Sequence, residues 1–281
     1  MTATEHWEGR QTAAPEKPFW DFSWVLRPLY RVYERSLVLQ ISRKPVPRHI
    51  GIILDGNRRY ARRYGITNPT EIYRAGADRL DALLAWSSEL SIPALTLWVC
   101  STDNLGRSVD QVEGILDAIE TKLRRLAVDP KIRHRQVRVS AIGRLELLPK
   151  STLEAIRVAQ DATSAHEGLR LTIAVAYGGR QEIADAVRLL LRERAEQGDT
   201  LDDVAKMITP EVIGRHLYLA GLPDPDLIIR TSGEIRMSGF LLWQSAHSEF
   251  YFCDLNWPAF RRVDFLRAIR AFQDRERRYG R

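Results

Sequence analysis

Ile50-Gly51-Ile52-Ile53-Leu54-Asp55-Gly56-Asn57-Arg58-Arg59 is a short β-branched run that ends in a turn. Such a run bounded by Gly reads as a buried strand. The turn delivers one carboxylate, backbone N–H groups and two guanidiniums to one point, equipment for a metal-bridged phosphate. Asp, Gly and Asn dominate turns everywhere, so the junction alone also fits an ordinary turn before a solvated helix. Recurrence favours the functional reading. Residues 95–100 run into Ser101-Thr102-Asp103-Asn104, and residues 227–229 run into Arg230-Thr231-Ser232-Gly233-Glu234. Ligands of open α/β sheets sit outside the carboxyl ends of the strands, where three such ends can converge.

Working outward, strands are expected at 49–54, 94–100, 137–142, 169–176, 226–230 and 249–253. Helices are expected at 57–64, 71–91, 108–127, 151–166, 180–197, 210–219 and 261–278. Alternating units of this kind predict an α/β fold, a mostly parallel six-stranded central sheet with helices on both faces. The helix over 108–127 is marked by a capping box at Ser108-Val109-Asp110-Gln111 and a stripe from Val112 to Leu126. Lys122, Arg124 and Arg125 are placed where the helix dipole favours cations.

Residues 1–18 read as disordered. Residues 19–44 form an amphipathic N-terminal helix, with Trp20, Trp24, Tyr30 and Tyr33 interleaved with Arg27, Arg31 and Arg35. That profile fits an interfacial helix touching a membrane surface, and equally one that docks on its own domain or on a second subunit. Residues 45–281 read as one domain, with no linker to split it. No apolar stretch approaches the ~18 residues that span a bilayer, and the first residues lack a signal-peptide pattern, which predicts a cytoplasmic protein, peripheral at most.

The 281 residues carry a net charge of +6. The charge is concentrated at the ends, +3 over residues 1–48 and +5 over 261–281, leaving −2 for the body. A broad nucleic-acid footprint is therefore not expected. Cys100 and Cys253 are too few and too distant for a metal motif, and read as small buried apolar residues. GxxxxGK[ST], GxGxxG after the first strand, HExxH and GxSxG are all absent, which argues against the usual nucleotide-binding, zinc and serine-hydrolase sites. What remains is Arg58, Arg59, Arg107, Arg230 and Arg236 at strand ends beside Ser101, Asn104, Thr231, Ser232 and Ser238, a set suited to phosphate oxygens. The few acids nearby suffice for a Mg²⁺ ion that takes most of its shell from water and substrate. The apolar residues of 94–100 line either a plain core or an elongated slot.

Five motifs in order carry a resemblance. They are residues 49–59, 101–107, Tyr177-Gly178-Gly179-Arg180, residues 225–234, and Phe240-Leu241-Leu242-Trp243-Gln244 with Glu249. The chain from His49 to Arg281 resembles the cis-prenyltransferases, also called undecaprenyl diphosphate synthases. The resemblance implies an apolar tunnel, a homodimer, and condensation of isopentenyl diphosphate with an allylic diphosphate. It implies that Asp55 is catalytically essential and holds Mg²⁺, with Glu249 a second metal ligand near the dimer interface. It places Gly56, Asn57, Arg58, Arg59 and Tyr60 on the allylic diphosphate. Ser101 and Asn104 fall near the reacting carbons, with Asn104 assisting proton removal, and Thr102, Asp103, Leu105 and Arg107 are further substrate-binding residues. Arg230, Arg236, Met237 and Ser238 cradle isopentenyl diphosphate, and Arg278 and Gly280 form a tail reaching diphosphate across the dimer.

The chain departs from the common pattern at residues 68–73, at Leu105 and at Ile235. Residues 68–73 and 28–31 look more like the short-chain (Z,E)-farnesyl diphosphate synthase branch. Val99 stands where long-chain members carry Ala, so Val99 and Trp98 are expected to set chain length, with geranyl diphosphate as starter and a short Z-product. The alternatives are a medium- or long-chain synthase and a non-catalytic partner subunit, the latter a class that loses the Asp of the first motif. Asp55, as a strand-end metal ligand, is expected to matter for turnover and little for stability.

Overall fold

The computed structural model describes residues 23–275. The expectations for residues 1–18, Arg278 and Gly280 lie outside the described residues.

The six strands are β1 (His49–Ile53), β2 (Ala94–Trp98), β3 (Arg138–Ile142), β4 (Arg170–Ala174), β5 (Leu227–Arg230) and β6 (Glu249–Phe252). They form one sheet in the order β3-β4-β2-β1-β5-β6. Every pairing is parallel. Parallel sheets are covered on both faces, which is why these strands read as continuous apolar runs. Alternation then sorts the side chains. Ile50, Ile52, Leu95, Leu97, Leu227 and Ile229 enter the larger core, whereas Ile53, Ile228 and Trp98 enter a second cluster with Tyr177 and Phe240.

The helices are α1 (Ser23–Ile41), α2 (Asn57–Tyr64), α3 (Pro69–Glu89), α4 (Val109–Val128), α5 (Pro130–His134), α6 (Lys150–Thr163), α7 (Gly179–Glu196), α8 (Leu201–Met207), α9 (Pro210–Gly214) and α10 (Arg262–Asp274). Asn68 caps α3, its Oδ1 accepting from the Thr70 and Glu71 N–H groups at 2.9 and 3.4 Å, with Pro69 at the first helical position. The unusual 68–73 stretch thus begins a helix.

The expected capping box at Ser108 does not form, since the Ser108 side chain caps nothing. One forms instead at Ser101, where a 3₁₀ turn (Thr102–Gly106) begins. Lys122 is also not a solvated cation of a helix end: it is buried, 2.6 Å from Asp81 Oδ1 on α3.

The C-terminal part of α1 docks on its own domain. Leu37 and Ile41 are fully buried, and Gln273 of α10 donates to the carbonyls of Ile41, Lys44 and Pro45 at 3.0 Å each. Arg267 lies 5.3 Å over the Tyr33 ring. No helix among the described residues is long and apolar enough to cross a membrane.

Candidate active site

β1, β2 and β5 end side by side, with Ile53 opposite both Trp98 and Arg230. This register brings Asp55, Ser101 and Arg230 to one edge of the sheet. The turn after β1 needs Gly56. Its φ is +99°, and a Cβ there would lie 2.4 Å from Asn256 Oδ1 and 2.9 Å from Asn256 Cα. The turn opens α2, so N–H groups of its first turn face the site.

Asp55 is fixed from several sides. Its Oδ1 accepts from the Gly56 N–H at 2.7 Å and its Oδ2 from Arg230 Nη2 at 2.9 Å. The Thr231 hydroxyl accepts from the Asp55 N–H at 3.0 Å and donates to the Asp55 carbonyl at 2.7 Å. Burial pushes the Asp55 carboxyl up, but the Arg230 guanidinium, the Gly56 N–H and Ser232 more than offset it, so the group is held below its ordinary value. It is therefore an anion at neutral pH. Arg230 is buried, donates from Nη1 to Ser238 Oγ at 2.7 Å and to the Arg236 carbonyl, and keeps its Nε without a partner among the described residues.

Arg59 donates to the Ser232 carbonyl at 2.8 Å and Oγ at 3.1 Å, and pairs with Glu234 at 2.9 Å. Glu234 also holds Arg236 at 2.7 Å. Ser101 and Asn104 hold each other, Oγ accepting from one N–H and Oδ1 from the other, both at 3.2 Å. Thr231 and Ser232 thus support Asp55 and Arg59 through their hydroxyls and the Ser232 carbonyl.

A cavity of about 330 Å³ is lined by Asp55, Gly56, Asn57, Arg58, Arg59, Arg62, Trp98, Val99, Cys100, Ser101, Asn104, Arg107, Arg230 and Ser238. Five arginines face a single carboxylate, a balance that suits a polyanion. A second, apolar cavity of about 70 Å³ adjoins it and shares Leu54, Asn57, Tyr73, Val99 and Ile115 with it. Gly76, Ala77, Leu80, Leu97, Ala118, Ile119 and Trp257 continue its wall between α3, α4 and the sheet. Both alternatives open at strand 94–100 are realised: Ala94 and Leu95 are buried in the core, whereas Leu97 and Val99 border this apolar cavity.

Several expected residues fall outside the polar cavity's lining. Tyr60 packs tilted against Tyr64 at 4.5 Å, Asp103 is exposed, Leu105 packs on the core, and Arg236 turns to Glu234. Thr102 and Met237 do not line the cavity either. Trp98 is not a wall of the apolar slot: it points to the other face of the sheet and stacks on Phe240 at 5.4 Å. Glu249 opens β6 opposite Leu227, at the far end of β5 from Arg230, and pairs with Arg275. Within one chain Asp55 and Glu249 do not converge, and no group of three candidate metal ligands occurs among the described residues. Cys100 and Cys253 are thiols held protonated by burial, each pushed up to about 11.

Sequence reasoning missed Arg62 and Tyr73. Arg62 follows Arg58 by four residues, one helical turn on, and that spacing was available as a signal. Tyr73 accepts from Arg107 Nη1 at 3.4 Å, a tertiary contact no local pattern shows.

A family model described as "Putative undecaprenyl diphosphate synthase" matches residues 53–280. The chain belongs to this prenyltransferase family. It is 52% identical over 255 residues to an isoprenyl transferase of Thermus thermophilus, covering 91% of this chain and 97% of that one. It is 52% identical over 253 residues to the (2Z,6E)-farnesyl diphosphate synthase of Thermobifida fusca, covering 90% and 97%. The crystal structure of lavandulyl diphosphate synthase from Lavandula x intermedia, in complex with dimethylallyl diphosphate, superposes with a TM-score of 0.76 at 32% identity, covering 84% of this chain and 99% of that one. The chain is therefore a cis-prenyltransferase, an enzyme of isoprenoid chain elongation.

Proposed function

We propose that this cis-prenyltransferase condenses isopentenyl diphosphate with geranyl diphosphate to give a short Z-product, (2Z,6E)-farnesyl diphosphate. One observation carries the reading. A carboxylate paired with a buried arginine sits in an arginine-lined cavity, and that cavity opens through Val99 into an apolar slot.

The donor set fits a hard cation brought in with its substrate: one anionic carboxylate, with the remaining shell left to water and diphosphate oxygens. Asp55 would hold Mg²⁺, which when bound neutralises charge developing on the departing diphosphate. Arg58, Arg59, Arg62 and the first-turn N–H groups of α2 bind the allylic diphosphate and stabilise it as it leaves. Arg230 and Ser238 hold the isopentenyl diphosphate so that its double bond faces the allylic carbon. The C–C bond forms as the C–O bond breaks. Ser101 and Asn104, locked together by their reciprocal hydrogen bonds, orient the reacting carbons. Asn104 is a neutral amide, so it aligns the departing proton while a phosphate oxygen takes it.

The slot supports the short product because it is narrow and its entrance is faced by a β-branched side chain. A homodimer is part of the same reading, since Glu249 can reach a metal only in another copy's site. Val32 and Leu39 of α1 are exposed, which supports a peripheral lipid contact for that helix.

The test is incubation with labelled isopentenyl diphosphate, Mg²⁺ and starters of increasing length. A fifteen-carbon Z-product from geranyl diphosphate is expected, by analogy with the steric stop of a closed pocket. Long polyprenyl products, or no Mg²⁺-dependent condensation, would overturn the proposal.

A further inference from the structure

Lys122 is the only charged side chain on the wall of the apolar slot among the described residues. Ile115 and Tyr73 belong to the slot's mouth, since both also line the polar cavity. Seven residues further along α4 comes Lys122, and seven along α3 comes Leu80, next to Asp81. At the helical rise, Lys122 stands about 10 Å deeper than Ile115. Its ammonium meets Asp81 Oδ1 at 2.6 Å, its side chain is 6% exposed and that of Asp81 39%. The stem therefore crosses from the slot to the outer rim of the α3–α4 seam, where Arg125 continues the network to Asp81 at 3.8 Å and Asp78 at 3.1 Å.

Stability does not account for this lysine. Its neighbours on α4, Ile119, Leu123 and Leu126, are buried and apolar. Burying the ammonium of such a pair, with only its partner partly exposed, is seldom better than a well-packed hydrophobe. A cation here does have an effect on a growing hydrocarbon, which can pass this point only by displacing the stem and breaking the 2.6 Å pair, leaving Asp81 with the longer 3.8 Å contact to Arg125.

We infer that the Lys122–Asp81 pair is the floor of the hydrocarbon slot, a polar latch across the α3–α4 seam that ends chain growth. The inference rests on the short-product reading above and adds the residues that enforce it. Val99 sets the width of the neck, and the latch sets the depth.

The experiment compares product lengths from labelled isopentenyl diphosphate for the wild type, K122M, D81N/K122M, V99A and V99A/K122M. Met keeps the length of the Lys stem without the charge. In K122M the freed Asp81 can turn to Arg125, and in D81N/K122M neither charge of the pair remains, so the two variants load the fold differently; circular dichroism and thermal melts identify which is folded, and K122R is the folded control. Product length is a ratio and is read independently of rate. The fraction of product longer than the wild-type chain is expected to rise by about tenfold or more in the folded latch variants, the discrimination a hydrophobic pocket gains from a methylene-sized change. V99A/K122M is expected to exceed V99A in length. K122R, which keeps a cation for Asp81, is expected to retain the wild-type product. A folded latch variant that still stops at the wild-type length overturns the latch and leaves the short-product reading intact. A wild type that itself makes long chains overturns the short-product reading, and the latch with it.

Discussion

Replacing Asp55 by Ala separates what the site does from what holds it. The sequence pointed to a strand-end metal ligand whose loss would leave stability almost untouched. The structure adds that Asp55 is the counter-ion of Arg230, whose side chain is 5% exposed against 33% for Asp55. Removing one partner of a fully buried pair costs about 3–5 kcal/mol. Here the aspartate is a third exposed and Arg230 keeps Ser238 and the Arg236 carbonyl, so the expected loss is about 1–2 kcal/mol. For a chain of this size that lowers the melting temperature by about 2–8 °C. Turnover should fall much further, by about 10³-fold or more in kcat/KM, because the Mg²⁺ that would neutralise charge on the leaving diphosphate loses its carboxylate ligand. D55N separates the two effects: its amide oxygen still accepts from Arg230, so most of the melting temperature returns while turnover stays low. The pH dependence follows from the direction of the shift. Asp55 titrates below its ordinary 3.8 in the folded protein, so its stabilising contribution is present above 3.8 and is lost as pH falls through the lower folded value. The melting difference between wild type and D55A should therefore be full at pH 7 and shrink under strongly acid conditions. Retention of turnover within about tenfold in D55A would refute the catalytic assignment. An unchanged melting temperature at pH 7 would refute the account of the ion pair.

Three further outcomes follow from single contacts. V99A should lengthen the products, because Val99 lines both cavities; thin-layer or mass analysis showing no change would remove Val99 from the neck. G56A should cost about 1–3 kcal/mol and most activity, since φ of +99° and the 2.9 Å approach to Asn256 Cα leave no room for a methyl group. Trimming Asn256 to Ala should not restore it, as the obstruction includes backbone; a stable, active G56A is the contrary result, read by thermal melt and assay. Glu182 is buried and its carboxyl is pushed up by burial, although Tyr177, Gln244 and the Tyr218 N–H all donate to it. Its raised folded value means that its contribution is fully present below the ordinary 4.5 and is lost as pH rises through the folded value. Melts of wild type and E182Q across pH 4–8 should show the wild type losing ground as pH rises, and parallel curves would contradict this.

What the sequence made legible, and what it hid, divides along physical lines. The strands were readable because parallel strands buried on both faces leave unbroken apolar runs. Short helices such as α5 and α8, at one to two turns, are too brief for a periodicity to register. Ser101 and Ser108 each precede a polar residue at the same spacing, yet only Ser101 caps, because its segment is tied to Tyr177 by backbone pairing. Lys122 looked like a helix-end cation because its partner lies 41 residues away, a relation no local window contains. Strand geometry sorts two further residues. Consecutive strand residues point to opposite faces, so Trp98 and Val99 could not both wall one slot. Glu249 begins its strand, whereas the ligands of a parallel sheet gather where strands finish, so a role for it at Asp55's metal always required a second chain. Both constraints follow from strand geometry and direction alone, and they separate the residues a single chain brings together from those that depend on an assembled dimer.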